Sequence, residues 1–427
     1  MRTEQLLVQE KAAFPRVEPP CPYFGACGGC ALQDVAYPDQ LVLKRERLGR
    51  ALAALGDVPS VELIGLEDPW RYRNKAEFTF GEQDGRLALG YHAARSFWRV
   101  VDLDDCLLVP EPAARVLRDV RDAAARTGLP PYHPRTHQGF FRHLLVRISR
   151  ATGRLLVCLM TSPACAARSP EGGAAGRPAS AHGATGNGAD VRAVVEGLAH
   201  DVAARHPAIG SFYWGLTGRV ADIAVPEELI LLEGTPHLEE RMGPFRIKLH
   251  PLSFLQPNTA QADRMYATVC ERLRPGAGGV AWDLYCGLGL IAFYLASRMR
   301  KVYGIDGEPH HLELAALNAS LNGMRNVEFR AGKVEALLLD RRFWLQEARP
   351  DVIVADPPRA GLHPQAIASI LAARPLQIAY LSCNVQSLVR DLGMLCTGFP
   401  RYRLAALQAF DMFPQTNHLE TFALLER

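Results

Sequence analysis

Val280-Ala-Trp-Asp-Leu284-Tyr-Cys-Gly287-Leu-Gly289 decides the fold. Val280 to Leu284 is a short, mostly apolar run that predicts a buried strand. The two glycines after it predict a tight turn, and Ile291 to Ser297 then begins a helix. Lys301-Val-Tyr-Gly-Ile305 predicts a second strand, ending in Asp306. The unit repeats downstream. Pro309 opens a helix whose Leu314, Leu317 and Leu321 are expected on one face, and Gly323 can end it. Asp351 to Ala355 predicts a strand running into Asp356-Pro-Pro-Arg359, and Gln377 to Leu381 one running into Ser382-Cys383-Asn384. Alternating strands and helices predict an α/β domain with a parallel, Rossmann-like sheet. Arg403 to Phe410 and Thr421 to Leu425 are expected to close it as an antiparallel hairpin.

In such a sheet, ligands sit in the crevice beyond the carboxyl ends of the strands. Asp306 stands nineteen positions after Gly287. Glycines that admit a ligand to the backbone, with a carboxylate for ribose hydroxyls, suit an adenosine moiety. Ala292 occupies the place of a third glycine, which leans toward S-adenosylmethionine over NAD. Asp356 precedes two prolines, so its backbone is held extended at a strand end. Cys383 alone reads as an ordinary core cysteine. At a strand end, beside the other two sites, it reads as a nucleophile.

The 427 residues are long enough for two or three domains. The composition, 48% hydrophobic and 22% charged, is that of an ordinary globular chain. The net charge of +3 places any nucleic-acid site in a local patch rather than in a basic whole. No run reaches the roughly 18 apolar residues of a membrane span. Met1 to Lys11 lacks a secretory apolar core, so a cytoplasmic protein with reduced thiols is expected. Cys21-Pro-Tyr-Phe-Gly-Ala-Cys27-Gly-Gly-Cys30 folds three sulfurs together through glycines, a pattern for zinc or an iron–sulfur cluster. A fourth ligand must come from afar, and Cys106 is the next cysteine. Asp39 to Leu55 reads as an amphipathic helix. Segments 71–80, 86–91, 144–149 and 155–160 read as strands and 111–127 as a helix, a mixed β-rich domain. Residues 164–189, rich in Ala, Gly, Ser and Pro, read as a flexible insertion. Arg71, Tyr72, Arg73, Lys75, Phe140, Phe141, Arg142, His143 and Arg147 interleave cations with rings, which suits RNA as well as it suits a solvated strand face. The expected units are 1–60, 61–250 and 251–427.

Taken together these stretches resemble the bacterial RNA uracil C5-methyltransferases, S-adenosylmethionine-dependent enzymes that make 5-methyluridine. The resemblance rests on Cys21…Cys27-Gly-Gly-Cys30, Tyr72-Arg-Asn-Lys75, Ser253-Phe-Leu-Gln-Pro-Asn258, Asp283-Leu-Tyr-Cys-Gly-Leu-Gly289, Asp356-Pro-Pro-Arg359, Ser382-Cys-Asn384 and Asn417-His-Leu-Glu420. It implies a class I methyltransferase sheet, Cys383 as nucleophile and Glu420 as base. It implies that Gln256, Tyr285, Asp306 and Asp356 line the cofactor site. It also implies that Cys21, Cys27, Cys30 and Cys106 hold a [4Fe-4S] cluster, as in the ribosomal RNA branch, which points to 23S ribosomal RNA as substrate and partner. A monomer without a protein partner is expected. The family often carries Glu at the place of Asp306 and a residue other than proline at Pro257, and the amino-terminal RNA-binding barrel of some relatives is expected to be missing. The competing readings are a transfer RNA uridine methyltransferase, a non-catalytic RNA-binding factor on the same fold, and a dinucleotide oxidoreductase with an iron–sulfur centre.

Overall fold

A strand buried on both faces must be apolar at every position, because successive side chains point to opposite sides of the sheet. Val280 to Leu284 meets that demand at every position but Asp283. In a computed structural model, which describes residues 9–163, 190–274, 278–339 and 349–427, all five of these residues are buried. The expected insertion at 164–189 lies outside the described residues.

In chain order the elements are α1 (Tyr37–Leu52), β1 (Val61–Ile64), β2 (Lys75–Gln83), β3 (Arg86–His92), β4 (Val100–Asp102), α2 (Glu111–Arg126), β5 (Phe141–Ile148), β6 (Leu155–Thr161), α3 (Val191–Arg205), β7 (Ile209–Leu216), β8 (Glu228–Gly234), β9 (Leu238–Met242) and β10 (Phe245–Leu249). There follow α4 (Thr259–Arg272), β11 (Val280–Leu284), α5 (Leu290–Ala296), β12 (Lys301–Asp306), α6 (Pro309–Leu321), β13 (Val327–Ala331), α7 (Val334–Leu337), β14 (Val352–Ala355), α8 (Pro364–Ala373), β15 (Gln377–Ser382), α9 (Val385–Thr397), β16 (Arg403–Phe410) and β17 (Glu420–Glu426).

One sheet has the order β1-β16-β17-β15-β14-β11-β12-β13. Strands β13, β12, β11, β14 and β15 are parallel, and the winding direction reverses between β11 and β14. That reversal is the topological switch point of a doubly wound sheet, where ligands bind. Strand β17 runs antiparallel between β15 and β16. One face, with Trp282, Leu284, Ile353 and Tyr380, packs on α8 and α9 and on Leu48 and Leu52 of α1. The other, with Ala281, Val302, Val354 and Ala379, packs on α4, α5 and the β9–β10 hairpin.

The second sheet, β4-β3-β2-β5-β6-β7-β8, is antiparallel apart from the β6–β7 pair. Helices α2 and α3 cover one face through Val116, Leu117, Val195 and Leu198. Leu145, Leu156, Cys158 and Met160 of the other face share a core with Leu255 and the β9–β10 hairpin. The two sheets are therefore welded through apolar packing. The expected boundaries at 61 and 250 do not mark breaks in that packing. Val61–Ile64 pairs in parallel with β16 of the carboxy-terminal sheet, because the β16 edge would otherwise stand open.

Helix α6 buries Leu314 as expected, but its inward face is rotated away from Leu317. Leu317 is 38% exposed, while Leu312, Ala315 and Ala319 are buried with Asn318. The reason is polar. Asn318 accepts from the Lys248 amide (2.8 Å) and donates to the Lys248 carbonyl (3.3 Å), and Asn322 does the same with Arg246 (2.9 and 2.7 Å). Two side-chain amides thus satisfy the open edge of β10.

The turn after β11 uses glycine for two distinct reasons. Gly287 (φ 52°) and Gly289 (φ 77°) are both left-handed. A Cβ at Gly287 would meet nothing within 4 Å, whereas one at Gly289 would lie 2.6 Å from the Phe329 ring. Gly289→Ala is expected to destabilise the protein by about 2–4 kcal/mol through overpacking and a strained φ. A lower urea midpoint with an unchanged m-value would show it.

Candidate active site

The ends of β11, β12, β14 and β15 converge on one side of the sheet. Asp283, wholly buried in β11, accepts the Ala292 amide in the first turn of α5 (2.9 Å), so strand and helix start are locked together. Among the described residues its Oδ1 is buried without a hydrogen-bond partner, and burial pushes its pKa well above the carboxylate range. Tyr285 begins the turn in the left-handed region (φ 63°), a strained conformation for a ring-bearing residue. Asp306, the last residue of β12, accepts the Gly287 amide (2.9 Å) on Oδ2 and the Glu308 amide (2.9 Å) on Oδ1. Burial pushes its pKa upward, but His311 and these two amides outweigh it and hold Asp306 below its ordinary value. The carboxylate is therefore charged at neutral pH, and it raises the pKa of His311 in return.

The second corner arises from register. Strands β15 and β17 pair antiparallel with Ser382 opposite Thr421, so one step further sets Cys383 across from Glu420. Asp356 follows β14, whose Ala355 pairs with Tyr380. Asn384 caps α9 by accepting the Gln386 amide (3.0 Å) and donates to the Arg359 carbonyl (2.9 Å). Cys383 thus stands immediately before a helix N-terminus. Burial pushes its thiol up to about 11, the charges of Glu420 and Asp356 add to the rise, and Arg359 opposes it. Glu420, only 2% exposed, lies well above the ordinary carboxylate range through burial and then Asp356. Burial brings Asp356 up to about 7. Two carboxyls that resist ionisation face a thiol that resists it too, an arrangement suited to holding and passing protons.

One cavity of about 910 Å³ joins the two corners. Cys383, Glu420, Gln256, Tyr285, Asp306 and Asp356 all line it, together with Gly287, Arg359, His418 and Phe254. Arg73, Lys75, Glu77 and Tyr91 close it from the second sheet. The volume is that of a ligand site able to take more than one small molecule.

A model of the tRNA (uracil-5-)-methyltransferase family matches residues 238–427. An uncharacterized RNA methyltransferase of Halalkalibacterium halodurans is 32% identical over 97% of this chain and 85% of its own length. One of Caldanaerobacter subterraneus subsp. tengcongensis is 33% identical over 98% of this chain and 87% of its own. The chain belongs to the RNA uracil C5-methyltransferase family. The fold agrees. The crystal structure of Pyrococcus abyssi tRNA (uracil-54, C5)-methyltransferase with S-adenosyl-L-homocysteine superposes with a TM-score of 0.70 at 25% identity, covering 93% of this chain and 85% of that one.

In this family member the loop between β16 and β17, which carries His418 to the cavity, is held from the amino-terminal side. Lys44 and Asp411 form a buried ion pair (2.6 Å), and Lys44 also donates to the Phe413 carbonyl (3.1 Å). The Gln415 carbonyl accepts the Ala31 (2.9 Å) and Leu32 (3.1 Å) amides, and the Gln40 and Gln415 amides exchange hydrogen bonds. Neither Lys44 nor Asp411 was singled out from sequence, since a lone lysine on an amphipathic helix reads as solvated. Asp283 was missed as a separate residue as well. Its one signal is a carboxylate inside an apolar strand.

The expected basic and aromatic RNA face is corrected. Tyr72, Phe140, Phe141, Arg142, His143 and Arg147 are buried. Arg142 lies 3.8 Å from the Tyr132 ring centre and donates to the carbonyls of Thr217, Arg219 and Ala221. Arg147 donates to those of Pro251 and Ser253, and Arg71 pairs with Asp105 (2.5 Å). These guanidiniums satisfy loop carbonyls, which strand alternation could not reveal. Arg73 and Lys75 do reach the large cavity.

Cys21, Cys27, Cys30 and Cys106 line one small cavity of about 20 Å³ with Arg73 and Tyr91. Burial pushes Cys27 up to about 11 and Cys30 up to about 12, and Cys106 adds to both. The sequence-distant Cys106 is thus brought to the cysteine triplet. Among the described residues, no three His, Cys, Asp or Glu side chains are disposed to share one metal ion. Among the described residues, no helix is long and apolar enough to cross a membrane.

Proposed function

We propose that this protein methylates C5 of a uridine in 23S ribosomal RNA with S-adenosylmethionine, in the cytoplasm. The observation that carries the reading is the meeting of Cys383 and Glu420, across β15 and β17, on a cavity whose other wall is the glycine turn and Asp306. The open side of Gly287 and the charged Asp306 suit an adenosine moiety, and Gln256 and Tyr285 complete that wall. When bound, S-adenosylmethionine supplies an electrophilic methyl group on a sulfonium.

The chain's own residues do the rest. The Cys383 thiolate adds to uracil C6, and the electron pair moves through C5 into an enolate at the C4 oxygen. Arg359 is the cation that favours the thiolate. C5 then attacks the methyl carbon held in line, forming the C–C bond as the sulfonium C–S bond breaks. Glu420 removes the C5 proton, the C6–S bond breaks, and the thiolate is restored. A paired or stacked uridine cannot reach Cys383, so the base is flipped into the cavity.

Cys21, Cys27, Cys30 and Cys106 would hold a [4Fe-4S] cluster. Four thiols round one cavity suit a soft centre, and a cluster keeps its thiolates farther apart than a single ion would. Its part would be to clamp the segment that braces the Gln415 loop, since methyl transfer moves no net electrons.

The second reading, a transfer RNA substrate, is favoured by the Pyrococcus abyssi neighbour. The deciding experiment supplies labelled methyl donor with purified 23S ribosomal RNA and, separately, transfer RNA, each unmodified. 5-Methyluridine at one position of the ribosomal RNA is expected. Label in transfer RNA alone would replace the proposal with the second reading, and label in neither would end both.

A further inference from the structure

The rings and cations expected to meet RNA are mostly buried, yet one exposed surface carries the same chemistry. Beyond β3 the chain turns through Ala93 to Arg99 and returns as β4. Phe97 is 84% exposed and Trp98 47% exposed. Water contact of that extent on adjacent large rings marks a binding surface more often than a fold requirement. The Arg135 guanidinium, from the loop after α2, lies 4.0 Å from the Trp98 ring centre. Arg99 and Arg135 are exposed beside these rings, and residues 92–101 and 128–150 contain no Asp or Glu.

The turn has a firm base. The Gly28 amide donates to the His92 carbonyl (2.9 Å), and the Ala94 amide donates to the Ala26 carbonyl (2.8 Å). The cysteine segment therefore holds the foot of the turn while its rings face outward. Tyr91, next to that foot on β3, lines the catalytic cavity. Strand β3 thus runs from the cavity wall into the turn that carries the rings.

We propose that Phe97 and Trp98, flanked by Arg99 and Arg135, are a stacking platform for single-stranded RNA next to the target uridine. The inference rests on the RNA-methylating reading above and adds where the flanking strand is held. Exposed rings stack on any base and guanidiniums meet phosphates, so the surface gives affinity with little sequence preference. A protein partner is the other possible occupant. The interleaved arginines favour a polyanion.

The test uses the full-length protein with its cofactors and an unmodified single-stranded RNA containing the mapped target uridine. Phe97→Ala with Trp98→Ala is expected to weaken RNA binding roughly ten- to a hundredfold or more. KM for RNA should rise with kcat and S-adenosylmethionine affinity unchanged. Phe97→Tyr with Trp98→Phe keeps the rings and should keep the affinity, which separates stacking from misfolding. Arg99→Gln with Arg135→Gln should flatten the salt dependence of binding by one to two phosphate contacts. Wild-type RNA affinity in the alanine variant overturns the proposal, as does loss of self-association in sedimentation without loss of RNA binding. Binding is read without catalysis. Failure of the wild type to methylate would therefore count against the function and leave the platform separately decided.

Discussion

Cys383→Ala loses methyl transfer by about 10⁴-fold or more and keeps its affinity for S-adenosylmethionine. The magnitude follows from the chemistry. Uracil C5 is a poor nucleophile until a thiolate adds at C6, and no other group among the cavity's described lining offers a comparably soft nucleophile positioned opposite Glu420. Cys286 also lines the cavity, but it is buried beside the glycine turn, and burial pushes its thiol well above its ordinary value. The cofactor wall of Gly287 and Asp306 is untouched by the substitution. Single-turnover methylation and a cofactor titration check the two halves. Retained methylation would remove Cys383 from its assigned part. The same thiol sets a pH dependence. With Cys383 pushed up to about 11 in the free enzyme, kcat/KM should climb through the neutral and alkaline range as the thiolate fraction grows. A profile already flat at pH 7 would contradict it.

Glu420→Gln accumulates a covalent RNA–protein adduct that survives denaturing electrophoresis. The thiolate can still add and C5 can still be methylated, but the proton at C5 has no base to take it, so elimination stalls. Fast release of fully methylated RNA from this variant would assign the base elsewhere. The substitution has a second signature in stability. Burial and Asp356 raise Glu420 in the folded state, so the native protein binds that proton more tightly than the unfolded chain does. Stability from this group is present at acid pH and falls as pH rises above the unfolded value of about 4.3 toward the folded one. Gln carries no such dependence. The variant should therefore be more stable than wild type at pH 8, with the difference closing near pH 4. Equilibrium unfolding at the two pH values measures it. A variant less stable than wild type at pH 8 would contradict the burial argument.

Much of the carboxy-terminal sheet was legible along the chain because its central strands are buried on both faces and announce themselves as short, mostly apolar runs. Val280 to Leu284, Lys301 to Ile305 and Gln377 to Leu381 fall within β11, β12 and β15, and the polar residue ending each run marks the rim where chemistry happens. The face of α6 was only partly read, with Leu314 buried and Leu317 not, because leucines were counted and Asn318 was not. Arginines were misjudged for a related reason. A guanidinium looks the same in sequence whether it faces phosphate or satisfies three loop carbonyls, as Arg142 does. Glu420 was named only through family resemblance, since nothing in its neighbours in sequence distinguishes it.

Local residue order thus determined which segments become strands and turns, because burial and backbone conformation act over a few residues. Three matters were decided only in the tertiary structure: Cys383 opposite Glu420, Cys106 beside Cys21, Cys27 and Cys30, and Lys44 against Asp411. Each joins residues tens to hundreds of positions apart. Strand register, loop return and the pairing of buried charges are properties of packing, and packing has no period that a linear sequence can display.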